Sequence, residues 1–311
     1  MTCVERSANG VAFQAGRFLN AFSVGDLAIA DVFMKNDNSE EAASEKVRLC
    51  AAQLTQSLFR HVVAIFRRND NGKPESMGTG LLVSSCADTF VVSAGHVFNE
   101  LMSGRNLFFY AGPQLIHQLA GSFWVSNPPT AGDKKAGRYD IDIGVIRLLR
   151  TAPPPNSIVD KEPLPLAALI GNALPRHSKQ YLVTGFPGSK TKLNPVHRIV
   201  DSKPYANLCV SPPQPMYEKI GCSSQTHLLM PFVRKHVLGP GSKRHTFPNP
   251  EGMSGSPVWL LYDDVGPNDP VQTPVVGILI EYHRSRHLLL ATDISHAIKM
   301  INDNSQCPRC D

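Results

Sequence analysis

The hydrophobic positions of this 311-residue chain change period along its length. Val47, Ala51, Leu54 and Leu58 fall on one face of a helix, and Asn38 or Ser39 can cap its start. Glu40 and Glu41 would lie in the first turn, where the helix dipole favours them. The spacing predicts a helix to about Arg60, within an N-terminal extension (1–57) that packs on the rest of the protein. From His61 the texture becomes short, β-branched and aromatic. Strands are expected near 61–68, 79–84, 89–93, 107–110, 122–125 and 141–148. Others are expected near 181–184, 227–232, 257–261 and 275–280. Turn residues such as Asn69-Asp70-Asn71-Gly72 separate them. Many short strands joined by Gly- and Pro-rich loops predict an all-β barrel or sandwich. The proline-rich stretch from Thr151 to Pro165 reads as a connector, giving β units at 58–160 and 161–303 and a tail at 304–311. Near the end, Thr292 or Asp293 can cap a helix bearing Ile294, Ala297, Ile298 and Ile301 on one side.

Composition adds limits. Hydrophobic residues at 42% supply ample core, and a net charge of +5 is too mild and too scattered for a nucleic-acid footprint. Basic pairs such as Arg67-Arg68 and Lys134-Lys135 read as solvated loops. No apolar stretch has membrane-spanning length, and no secretory signal is visible in the first ten residues. Seven cysteines at irregular spacing (Cys3, Cys50, Cys86, Cys209, Cys222, Cys307, Cys310) are then expected to be reduced thiols in a cytoplasmic protein. Cys307 and Cys310 form a lone C-x-x-C, half of a zinc site without a second half, so no metal or cofactor is expected.

Three segments carry candidate chemistry, in the order His, Asp, Ser: Ser93-Ala94-Gly95-His96, Asp142-Ile143-Gly144-Val145-Ile146-Arg147-Leu148 and Gly252-Met253-Ser254-Gly255-Ser256-Pro257. A serine hydroxyl becomes a nucleophile when a neutral imidazole takes its proton. A carboxylate on the far ring nitrogen fixes the tautomer, and backbone N–H groups must face the oxygen that turns negative. Ser254 in a tight glycine-flanked turn, His96 at a strand end and Asp142 at the start of an apolar run fit those roles. Asp140, two residues earlier, is the alternative acid. The N–H groups of Gly252 and Ser254 would hold the oxyanion.

These segments resemble the Thr-Ala-Ala-His, Asp-Ile-x-Leu-x-x-Leu and Gly-Asp-Ser-Gly-Gly-Pro motifs of the chymotrypsin/trypsin-like serine proteases. Gly78-Thr79-Gly80-Leu81-Leu82-Val83 is closer to the opening of bacterial Deg-type members, without their PDZ domain. The resemblance covers roughly 60–303. It implies two packed six-stranded β-barrels with the triad between them, plus the N-terminal helical extension and the C-terminal helix. It also implies endopeptidase activity on protein or peptide substrates. By position in that family, Pro248 and Asn249 would form the base of the first specificity pocket. Glu281 and Tyr282 would lie along its wall, and the strand ending at Ile280 would pair with substrate backbone. Met253 stands where zymogen-activated members have Asp, and Val97 where secreted members have Cys. Activation by N-terminal cleavage is therefore not expected, whereas a protein partner docking on the extension could serve. The rival expectation is a protease-like binding module without activity. An α/β-hydrolase is disfavoured by Ser256, where its motif needs Gly, and by the absence of alternating helices.

Overall fold

The computed structural model describes residues 54–55, 57–112, 115–126, 140–149, 161–173, 176, 179–194, 199–234, 237–238, 244–261 and 273–305. Most of the expected N-terminal helix, the proposed partner-docking extension and the terminal C-x-x-C lie outside them. A short 3-10 turn at Phe59–His61 leads into the body.

The first half contains β1 (Val62–Arg68), β2 (Pro74–Ser85), β3 (Asp88–Ser93), helix α1 (Gly95–Met102), β4 (Leu107–Gly112), β5 (Leu115–Gln118), β6 (Gly121–Val125), β7 (Gly144–Leu148) and β8 (Leu164–Pro165). Its sheet runs β5-β4-β1-β2-β3-β7-β6, with β8 added parallel to β2. The second half adds β9 (Gln180–Gly185), β10 (Thr191–Asn194), β11 (Ile199–Ser202), β12 (Tyr205–Val210), helix α2 (Gln214–Ile220), β13 (His227–Pro231), β14 (Val237–Leu238), β15 (Arg244–His245), β16 (Pro257–Leu261), β17 (Val275–His283), β18 (Leu288–Asp293) and helix α3 (Ser295–Asn304). Its main sheet runs β12-β9-β16-β17-β18-β13, antiparallel throughout. The molecule is thus mostly β, built from two curled sheets that form half-barrels. The first carries eight strands rather than the expected six. One reason is that Leu164–Pro165, at the end of the proline-rich stretch, still pairs with Val83 and Ser84.

Strand residues in an antiparallel sheet normally alternate apolar and polar, because one face meets water. Here β1, β2 and β3 are instead buried over continuous runs, and the core explains why. Val62, Ala64, Leu81, Val83, Phe90 and Val92 join Leu182, Trp259, Val275 and Ile278 of the other sheet in a central core. Their sequence neighbours Val63, Ile65, Leu82 and Val91 turn the opposite way, onto Phe98, Phe109, Tyr217 and Leu229. The first sheet is therefore covered on both faces. A third cluster, around Tyr181, Val183, Phe232, Phe247 and Val258, fills the outer face of the second sheet.

The C-terminal helix forms as its stripe predicts, with Ile294, Ala297 and Ile301 fully buried in the central core. Of the two expected caps, Asp293 acts: its Oδ1 accepts the Ser295 N–H at 2.8 Å. The short helix α2 was not foreseen, although it carries signals. A proline lies in its first turn, and Gly221 ends it at φ +84°. Cys86 is disulfide-bonded, which corrects the expectation of seven reduced thiols. Cys209 and Cys222 are free.

Among the described residues, four histidines sit below their ordinary value of 6.5, with burial the leading cause in each: His61, His117, His227 and His296. The unfolded chain binds protons at higher pH than these folded sites do. Their stabilising effect is therefore complete above about pH 6.5 and is lost as pH falls from there toward the folded values. His227, only 2% exposed, adds a slope of at most about 1.4 kcal/mol per pH unit. The urea midpoint should fall steadily between pH 7 and pH 5; a flat midpoint over that range contradicts this.

Candidate active site

Strand register creates the histidine–aspartate contact. Ser93 pairs with Gly144 across β3 and β7, so the residues just beyond each strand end meet. Ala94 stays extended, and Gly95 begins α1 with His96 in its first turn. Asp142 takes both donors of His96: Oδ1 accepts the backbone N–H at 2.9 Å and Oδ2 faces ring Nδ1 at 2.5 Å. The residue before His96 must be small, because a Cβ on Gly95 would lie 2.8 Å from Asp142 Oδ1 and 3.0 Å from the Ile143 carbonyl. With Nδ1–H donating to the carboxylate, Nε2 keeps its lone pair. The ring is 44% exposed, so an approaching group can reach it. Asp140, the alternative acid, makes no hydrogen bond or ion pair with His96. Its carbonyl instead faces His227 Nε2 at 3.4 Å.

The Ser254 turn is held by its carbonyls. Glu251 O accepts from Gly188 N (2.7 Å), Gly252 O from Thr79 Oγ1 (3.2 Å), Met253 O from Ser256 N (2.9 Å) and Ser254 O from Thr79 N (2.7 Å). Of the donors, Met253 N goes to Pro250 O and Gly255 N to Leu279 O. The N–H groups of Gly252 and Ser254 have no partner among the described residues. Two alternating amides are thus left free on a turn whose carbonyls from Glu251 to Ser254 are all engaged, which is the requirement for an oxyanion site. Glycines at φ +86° (Gly252) and +90° (Gly255) make the turn possible.

Packing brings this turn against the His96 segment. A Cβ on Gly78 would meet Ser254 O at 2.7 Å and Val97 Cγ2 at 2.8 Å, so the serine carbonyl and the residue after His96 close on the same point. A Cβ on Gly255 would meet Thr79 O at 1.9 Å and Ser93 Oγ at 2.1 Å. Ser254 Oγ has no hydrogen bond to any described residue, His96 Nε2 included. Gly255→Ala combines a left-handed φ with that clash. It should destabilise the fold by about 3 kcal/mol or more, read as a lowered urea midpoint; an unchanged midpoint would mean that the turn tolerates a side chain.

The expected specificity residues occupy two places. Pro248 is buried and Asn249 half-buried on the loop entering the Ser254 turn. Tyr282 packs edge-on against Phe232 (5.3 Å), and Phe232 edge-on against Phe247 (5.3 Å), which ties β17 to the residue before Pro248. Glu281 is exposed, with Oε2 3.5 Å from His283 Nε2. Ile280, 7% exposed, turns its side chain into the core rather than toward a ligand. Its backbone is another matter. β16 accompanies β17 only as far as Ile278, so from Ile280 to His283 the side of β17 away from β18 pairs with no described strand. That open edge begins one residue beyond Leu279, whose carbonyl holds Gly255 N.

Two contributors escaped the sequence reading. Thr79 bonds the Ser254 turn twice and also takes the Phe186 N–H on its hydroxyl (3.0 Å). Ser93 Oγ donates to Thr79 O at 2.7 Å. Both residues lay inside quoted motifs, yet nothing local marked them as braces. Among the described residues no cluster could hold a metal ion, and no helix is long and apolar enough to cross a membrane. No protein-family model matches the chain, and no curated protein matches it either.

Proposed function

We propose that this protein is a serine endopeptidase acting through an acyl-enzyme intermediate. One observation carries the reading: Asp142 clasps His96 through two bonds, beside a serine turn with two free amides. In the proposed cycle Ser254 Oγ attacks a peptide carbonyl while His96 Nε2 takes its proton. The Gly252 and Ser254 amides receive the oxyanion, and His96 then protonates the leaving amine. The open edge of β17 supports an extended peptide as substrate, because main-chain pairing needs an unpartnered strand. The two half-barrels are read as the two packed barrels that the motif resemblance implies. The bonded state of Cys86 removes the reduced-thiol basis for a cytoplasmic location.

The unmade Ser254–His96 bond favours a second reading, a protease-like binding module without activity. A fluorophosphonate probe separates the two. The endopeptidase takes up one adduct, located on Ser254 by peptide mass spectrometry. A folded protein that stays unlabelled identifies the binding module.

A further inference from the structure

The geometry points to His227, together with its cross-strand partner Thr292, as a positioning residue that holds Asp142 against His96 from the opposite sheet; this rests on the endopeptidase reading. His227 and Thr292 are register partners in β13 and β18, and both are buried. His227 Nε2 lies 3.4 Å from Asp140 O, and Asp142 N donates to Thr292 Oγ1 at 3.4 Å. The alternate groups of the same segment go the other way: Ser126 Oγ donates to Ile141 O (2.6 Å) and accepts from Ile143 N (2.9 Å). Residues 140–143 are thus gripped by the first sheet through Ser126 and by the second through His227 and Thr292.

The tautomer follows from the acceptors. Asp140 O can only accept, so Nε2 carries the proton and Nδ1 receives the Thr226 hydroxyl at 2.9 Å. Behind this pair, Thr226 O accepts from Asp293 N (2.8 Å). The buried Asp293 carboxylate pairs with Arg176 at 2.5 Å, and Arg176 also donates to Ser224 O and Gln225 O. The second-sheet side of the grip is therefore itself braced by hydrogen bonds from behind, and the orientation of the Asp142 carboxylate depends on how the two halves sit together.

The test compares the unmodified protein with His227→Leu, His227→Gln and Thr292→Val. It uses the fluorophosphonate inactivation rate, kcat and KM on a peptide, and the low-field proton NMR signal of His96 Nδ1–H. His227→Leu should slow inactivation about fivefold, lower kcat with KM unchanged and broaden the low-field signal. His227→Gln, whose amide N–H can reach Asp140 O, should restore all three. Thr292→Val, which removes only a hydroxyl, should act in the same direction as His227→Leu and gives the answer if the leucine variant does not fold. If His227→Leu and Thr292→Val keep the unmodified rate and signal, the proposal is overturned. It is equally overturned if a folded glutamine variant is no better than leucine. Should the unmodified protein refuse the probe, the endopeptidase reading fails, and the NMR signal alone still decides whether His227 orients the Asp142–His96 pair.

Discussion

Ser254→Ala is expected to leave a folded protein whose kcat/KM for peptide cleavage falls by about 10⁵-fold or more. The structure separates the two effects. Ser254 Oγ bonds to no described residue, so its loss should change stability by no more than about 0.5 kcal/mol. The backbone groups that shape the turn are untouched. Ser254 O still accepts from Thr79 N, and the Gly252 and Ser254 amides still have no partner among the described residues. What disappears is the atom that, on the endopeptidase reading, forms the covalent bond. Oxyanion binding without a nucleophile leaves a small residual rate above water, so the variant should bind peptides without acylating. Hydrolysis at the original rate by a pure Ser254→Ala protein would show that another group performs the chemistry.

Asp142→Asn should cost about 10⁴-fold in kcat with KM close to unchanged, through a change of tautomer rather than of shape. Asp142 Oδ1 accepts the backbone N–H of His96. In the asparagine variant the carbonyl oxygen is held there, because that position faces a donor. The amide nitrogen is then left at the Oδ2 position, opposite His96 Nδ1. Two donors cannot face each other, so Nδ1 gives up its proton and accepts. Nε2 becomes the N–H and can no longer take a proton from Ser254. The prediction distinguishes Asp142 from Asp140, since Asp140→Asn changes no group in contact with the imidazole and should leave kcat within about twofold. Equal losses in the two variants would contradict the assignment.

The sequence made these residues legible because their chemistry needs local patterns. A turn with two left-handed positions requires glycines at 252 and 255, and a residue squeezed between a strand end and a carboxylate requires Gly95. Such constraints appear as short motifs. The acid was harder to choose, since Asp140 and Asp142 would share a face if the strand reached back to them; it begins at Gly144, and the pairing of Ser93 with Gly144 distinguishes them. The positioning roles of His227 and Thr292 were invisible for a related reason. Their contacts to Asp140 and Asp142 span 87 and 150 residues, and neither residue has a neighbour that marks it. The runs of apolar residues in β1 to β3 predicted strands correctly. They gave no notice that both faces of the sheet would be covered, because period alone does not say what lies opposite. The disulfide at Cys86 contradicts an inference drawn from compartment rather than from geometry.

The central core has a consequence for how the molecule can be divided. Because Val62, Leu81, Phe90, Leu182, Trp259 and Ile294 share one interior, neither lobe owns a complete set of inward-facing side chains. Severing the polypeptide between the lobes would expose a broad oily surface on each piece. The fragments would be insoluble apart and would recover structure only by mutual complementation. The proposed catalysis would then be a property of the reunited pair, since His96 and Asp142 belong to one fragment and Ser254 to the other.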